Sequence, residues 1–170
     1  MIFVPYVFDS AGQKINVDIL PMSPEDAEAT NKNPKWQTSW TSDYISDSKL
    51  DKYSVKYDKK LIALGAYEIS SSGLIVHITY IESEPESNPV FVGSNRMYYN
   101  IGKLLIAFGI KLSIDYGFGG DVELNAKTSK LAEHYEKDFG AVKLPSVPGV
   151  APRYLISDNA AKSIFLSYLE

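Results

Sequence analysis

The sequence predicts an α/β domain with a mixed, mostly antiparallel sheet of six to seven strands flanked by helices, and three observations carry that expectation. Three β-rich runs, Ser54 to Tyr57, Leu61 to Ile69 and Leu74 to Glu82, follow one another across the short polar segments Asp58-Lys59-Lys60 and Ser70-Ser71-Ser72-Gly73, as in an antiparallel meander. Between Tyr99 and Asp115, Ile101, Leu104, Leu105, Phe108 and Leu112 recur at helical spacing, and Ile106, Ala107, Ile110 and Ile114 widen the apolar surface until the helix must be largely buried. Asp121 to Ala126 then alternates, with Val122, Leu124 and Ala126 on one face, as a half-buried strand does.

Composition bounds the rest. With 170 residues, 45% of them hydrophobic and 12% aromatic, the chain suits one domain over residues 1–170 with a substantial core. The net charge of −4 argues against a general nucleic-acid binder and leans toward cationic or amine-bearing partners, although mild acidity is also an ordinary solubility setting. No cysteine is available for a disulfide or a thiolate nucleophile, and two isolated histidines form no metal-ligand cluster, so no metal is expected. The opening MIFVPYVFDSAG lacks the basic flank and length of a secretion signal, and no apolar run reaches membrane-spanning length. No membrane association is expected, and the default compartment is the cytoplasm.

In chain order, Ile2 to Phe8 and Ile15 to Leu20 predict a first strand or strand pair around the turn Asp9-Ser10-Ala11-Gly12-Gln13. Pro21 to Asp51 is polar, with Ser23-Pro24-Glu25 as a helix start, Asn33-Pro34 as a break, and Trp36 and Trp40 as anchors. Ser83 to Asn95, with Pro85, Pro89, Glu84, Glu86 and Gly93, is a loop at the exit of the third meander strand. Gly117-Phe118-Gly119-Gly120 ends the long helix. Thr128 or Ser129 caps a helix with the stripe Leu131, Ala132, Tyr135 and Phe139, which Gly140 closes. Arg153 to Ile156 is a last strand, and Asn159 to Leu169 a terminal helix.

The stretch from Arg96 to Gly140 concentrates the chemistry. A short polar loop with Asn100 and Gly102 opens the long helix, and such a junction offers free backbone N–H groups at the positive end of a helix dipole, a natural seat for a phosphate or pyrophosphate. The alternative is an ordinary helix start with a glycine for close packing. His77 alternates to the strand face opposite Tyr80 and Glu82 and is a sheet histidine, while His134 belongs on the surface.

The order of meander, acidic strand exit, glycine-bearing loop, buried helix, alternating strand and tyrosine-bearing helix resembles the GNAT superfamily of acyl-CoA-dependent N-acetyltransferases. Asn100-Ile101-Gly102-Lys103-Leu104-Leu105-Ile106-Ala107-Phe108 resembles the family's pyrophosphate loop and following helix, and His134-Tyr135-Glu136-Lys137-Asp138-Phe139-Gly140-Ala141 its late signature. The resemblance implies a centrally splayed sheet, acetyl-CoA as co-substrate, and direct attack of an amine on the thioester. It also assigns roles. Tyr98 to Gly102, with Ile101 among them, give backbone N–H groups to the pyrophosphate, and Lys103 or Arg96 adds charge. A backbone N–H near Ile81 or Tyr80 polarises the carbonyl.

Glu82, which shares a strand face with Tyr80, is the favoured general base among Glu82, Glu84 and Glu86; the other reading makes all three solvated loop glutamates. Tyr135 protonates the leaving thiolate or else completes the apolar stripe. Asn125 touches the pantetheine arm or caps its strand, and Tyr98 and Tyr99 shield the cofactor or pack the loop.

The family's loop usually begins with Gln or Arg, two residues, then Gly; here Met97-Tyr98-Tyr99-Asn100-Ile101-Gly102 stands there, with Asn100 as a residue that tolerates the left-handed region and Arg96 one position upstream. That departure motivates a second reading, a non-catalytic acyl-CoA-binding or protein-interaction module. An RNA-directed acetyltransferase is a weaker third, for want of a basic stripe with interleaved aromatics. The acceptor is then an amine-bearing small molecule or a protein amine, and a homodimer stays open.

Overall fold

In the computed structural model, which describes residues 2–47 and 49–170, the chain opens with β1 (Tyr6–Asp9), β2 (Lys14–Asn16), β3 (Asp18–Pro21) and α1 (Pro24–Ala29). After residues 30–47, which hold no helix or strand, come β4 (Leu50–Tyr57), β5 (Lys60–Ser70) and β6 (Ile75–Ser83), then a 3-10 turn at Pro85–Ser87, the single-turn helix α2 (Pro89–Val92) and the short β7 (Tyr98–Tyr99). α3 (Ile101–Asp115), β8 (Val122–Asn125), α4 (Ser129–Phe139), β9 (Val142–Lys143), β10 (Arg153–Ile156) and α5 (Asp158–Leu166) complete it.

Seven strands are hydrogen-bonded in the order β3-β4-β5-β6-β8-β10-β9, and a separate sheet has the order β2-β1-β7. β6 runs parallel to β8, in the register Val76↔Val122 to Ile78↔Leu124, whereas β3 with β4, β8 with β10 and β9 with β10 are antiparallel. The larger sheet is thus mixed and mostly antiparallel, as the sequence predicts. The meander turns through Asp58 and Lys59, both left-handed (φ 49° and 67°), the conformation a tight hairpin needs at its centre.

The N-terminal expectation needs correction. Ile15 to Leu20 is not one strand: Lys14–Asn16 pairs with β1 and Asp18–Pro21 with β4, and between them the buried Val17 donates its N–H to Pro5. Nor is Ile2 to Phe8 all strand, since Phe3 makes only an isolated bridge, to Leu169. Neither division has a local signal, because each pairing partner is distant or out of pattern. The loop expected from Ser83 to Asn95 contains two helical turns, each opened by a proline, and Asn88 caps α2 by accepting the N–H of Val90 at 2.9 Å.

The chain divides into two compact units. The first comprises Val4–Tyr67 and Tyr80–Leu105. Its core gathers Ala27, Trp40, Ile45, Leu50, Leu64 and Ala66, with Trp36 and Tyr80 packed against it, so both tryptophans anchor as expected. α1 starts at the predicted place: Ser23 accepts the N–H of Asp26, Asp26 accepts that of Ser23, and Pro24 fills the first helical position.

The second unit comprises Glu68–Thr79 and Ile106–Glu170 with Ile2 and Phe3. Val122, Leu124 and Ala126 are buried, as their alternation requires. Thr128 caps α4 by accepting the N–H of Leu131 at 3.1 Å, and Gly140 closes it in the left-handed region (φ 66°), where a Cβ would also stand 3.1 Å from Ala160. Phe3 packs its ring on Phe108, Phe165 and Tyr168. Two residues assigned to apolar stripes are instead exposed, Ile114 (41%) and Leu131 (37%), because each lies within one turn of a helix end, where the stripe runs out of core.

Candidate functional site

The helix-start loop has the geometry an anion requires. Asn100 is left-handed (φ 65°), α3 begins at the next residue, and the Asn100 carbonyl accepts the N–H of Leu104 at 3.1 Å. The N–H groups of Ile101, Gly102 and Lys103 therefore fall in the first turn, where no intrahelical carbonyl can reach them. The Ile101 side chain is buried and fixes the turn, whereas a Cβ on the exposed Gly102 would meet nothing within 4 Å. Donors, dipole and open space coincide, which fits a phosphate group.

The residues leading into this loop are tied down. Arg96 donates from Nε to the Gly93 carbonyl at 3.2 Å and holds its guanidinium 5.5 Å from the centre of the Tyr99 ring, whose hydroxyl donates to the Ser94 carbonyl. Tyr98 sets its ring edge-on to Tyr57, and partial burial together with Glu84 pushes its phenol above the ordinary value. Tyr98 and Tyr99 pair with Asp9 and Phe8 of β1. The two tyrosines thus pack the loop. Met97, where the resemblance leads one to expect a Gln or Arg, is exposed, with Sδ 3.7 Å from Nζ of Lys60.

At the exit of β6 the three glutamates differ. Glu82 accepts from the N–H groups of Gln37 (2.7 Å) and Thr38 (3.3 Å) through Oε2 and from Trp40 Nε1 (3.1 Å) through Oε1. Glu84 is 2% exposed, stands 3.0 Å from Nζ of Lys60 and accepts from Ser87 Oγ at 3.1 Å. Burial outweighs these partners and pushes its carboxyl above the usual carboxylate range; Lys60, despite its own partial burial, is held above the ordinary ammonium value by Glu84. Glu86 is half-buried, and with Glu84, Lys60 and Trp36 it lines a cavity of about 140 Å³. Ile81 lies on β6 between Tyr80 and Glu82, three positions past the last residue that β6 pairs with β8.

In the second unit Tyr135 is 7% exposed, in an edge-on contact with Tyr154, and burial pushes its phenol up, so it is a neutral hydroxyl at neutral pH. Asn125 donates from Nδ2 to the Ala151 carbonyl at 3.0 Å, a strand-end contact. His77 shares a hydrogen bond of 3.0 Å with Glu123, a satisfied sheet histidine, and His134 is half-exposed against Asp138.

Three partners were invisible in the sequence: Gln37, Thr38 and Trp40 meet Glu82 from 42 to 45 positions away, and neither Lys60 nor Ser87 carries a motif. Among the described residues no group of three or more His, Cys, Asp or Glu side chains is placed to hold a metal, and no helix is long and apolar enough to cross a membrane.

No family model matches the sequence, and no curated protein matches it. Solved structures do. An uncharacterized protein from Bacillus halodurans is similar with a TM-score of 0.62 and 8% identity, over 98% of this chain and 96% of its own. The aminoglycoside acetyltransferase AAC(6')-Ib in complex with coenzyme A and kanamycin has a TM-score of 0.58 and 12% identity, over 86% of this chain and 98% of its own. The PaiA N-acetyltransferase from Thermoplasma acidophilum in complex with coenzyme A has a TM-score of 0.57 and 14% identity, over 85% of this chain and all (100%) of its own. The fold is that of the GNAT superfamily.

Proposed function

We propose that the chain is an N-acetyltransferase that moves the acetyl group of acetyl-CoA to an amine by direct attack. The observation that carries this reading is the Asn100–Gly102 loop, a left-handed residue followed by the first turn of α3 and a Gly102 whose Cβ position is open, on a fold shared with coenzyme-A-bound acetyltransferases. Acetyl-CoA, when bound, supplies an acyl group activated as a thioester. The N–H groups of Ile101, Gly102 and Lys103 hold its pyrophosphate, with Arg96 and Lys103 adding charge. Tyr135, neutral because it is buried, gives its proton to the departing sulfur. Glu82 takes the proton that the amine loses on attack, and the backbone N–H at Ile81 or Tyr80 steadies the carbonyl oxygen. An amine acceptor of small size suits a fold found with kanamycin bound in one similar enzyme.

A second reading, a non-catalytic acyl-CoA-binding module, is favoured by one observation: the Glu82 carboxylate already accepts three hydrogen bonds from the Gln37–Trp40 segment. Thermal denaturation with millimolar acetyl-CoA, followed by thiol release with a panel of amines, separates the two. A ligand at one hundred times its dissociation constant stabilises by about 2.7 kcal/mol, and Gly102→Asp should abolish the shift. Tyr135→Phe should keep the shift and lower turnover by roughly ten- to a thousandfold. A shift without thiol release would favour the binding module, and no shift at all would sink both readings.

A further inference from the structure

Two residues that enter the proposed acyl-CoA loop hang from a turn that contributes nothing to the loop itself. The N–H of Met97 donates to the Glu86 carbonyl at 2.9 Å, and the N–H of Tyr98 donates to Ser87 Oγ at 3.1 Å. A hydroxyl has one proton, and that of Ser87 goes to Glu84 Oε2, also at 3.1 Å, so the lone pairs of Ser87 are turned toward Tyr98. The buried Glu84 thereby fixes the rotor that receives the loop. Lys60 steadies the far side: its Nζ stands 3.0 Å from Glu84 Oε1 and 3.7 Å from Sδ of Met97. On the opposite edge Tyr98 and Tyr99 pair with Asp9 and Phe8, so the segment just before Asn100 is pinned from both sides.

We infer that Glu84, acting through Ser87, is a positioning residue for the acyl-CoA loop and sets its affinity for the diphosphate of coenzyme A. This role rests on the acetyl-CoA reading above. Preorganised donors bind an anion without first being ordered, so loosening the Tyr98 anchor weakens binding of the diphosphate. Chemistry on the bound complex is untouched.

The test compares the full-length chain with Ser87→Ala, Ser87→Thr and Glu84→Leu, first by amide hydrogen exchange without ligand, then by calorimetric titration with coenzyme A. Exchange at Tyr98 should speed up in Ser87→Ala and Glu84→Leu while amides of β5 stay protected, and the dissociation constant for coenzyme A should rise about tenfold, the scale of one lost hydrogen bond. Ser87→Thr, which keeps the hydroxyl, should restore both. In turnover assays the loss should appear in the Michaelis constant for acetyl-CoA and leave the turnover number within about twofold. Should Glu84→Leu fail to fold, Ser87→Ala carries the same test by removing a single oxygen. Unchanged exchange at Tyr98, or faster exchange with wild-type affinity, would overturn the positioning role. A wild-type protein that binds no coenzyme A would overturn the acetyl-CoA reading and this role with it, and the ligand-free exchange data tell the two failures apart.

Discussion

Residues 30–47 contain no helix or strand, yet Trp40 within them is 1% exposed, whereas residues 121–140 are almost entirely strand and capped helix. The two stretches keep their backbone satisfied by different means. The irregular one depends on side-chain acceptors: Glu82, from far along the chain, accepts from Gln37, Thr38 and Trp40, and the Thr30 hydroxyl, at the start of the stretch, accepts from the Trp40 N–H at 3.0 Å. Asp26 holds side chains of β4 and not its backbone, accepting from the Ser54 hydroxyl at 2.7 Å and pairing with Nζ of Lys56 at 2.9 Å. In the regular stretch α4 is closed by its own caps, Thr128 and Gly140, and β8 is laddered between β6 and β10. Chain that has no ladder for its N–H groups must bring other acceptors to them, and for Gln37, Thr38 and Trp40 these are the Glu82 carboxylate and the Thr30 hydroxyl.

Breaking the first arrangement should cost more than breaking the second. Trp40→Ala removes a large buried side chain and the donor to Glu82 together, and should destabilise by about 3–5 kcal/mol, measured as a fall in the denaturant midpoint at unchanged slope. A loss as small as that of a surface change would mean that residues 30–47 do not depend on this anchor.

Asp26 comes next, and its effect is pH-dependent. Although burial works against its charge, the hydrogen bonds from Ser54, Lys56 and Ser23 hold its carboxyl below the ordinary value of 3.8. A depressed folded-state value means stabilisation that is fully present above the unfolded value and lost as the pH falls through the folded one. Asp26→Asn should therefore cost about 1.5–3 kcal/mol at neutral pH, and the gap to wild type should close on acidification below about pH 4. A gap that stays constant from neutral pH to strong acid would show that the charge contributes nothing.

The smallest effect belongs to the regular stretch. Thr128→Ala removes one cap and should cost about 1 kcal/mol, seen in the melting temperature. A loss as large as that of Trp40→Ala would erase the contrast between the two regions.

Much of this was legible in order along the chain. The meander, α3, β8, α4 with both caps and β10 appear within a few residues of where periodicity and turn chemistry place them, because each is specified by neighbours in sequence. β7 and β9, each two residues long, carry no period to detect. The loop at Asn100–Gly102 was equally readable, since a helix start with a left-handed residue is a local event. The surroundings of Glu82 were not. Its spacing and strand face suggested a base near a ligand, and only the folded chain brought the Gln37–Trp40 donors onto it.

The sequence by itself determined the meander, α3 with its left-handed start, β8, β10 and α4 with its caps, because backbone periodicity and capping act over three or four residues. The tertiary structure alone decided which carboxylates are exposed and which are buried, that Lys60 would pair with Glu84, and that Ser87 would hold the N–H of Tyr98. Those contacts join segments 11 to 24 positions apart, and a side chain's solvation and partners are properties of the space it occupies, which no local pattern of residues specifies.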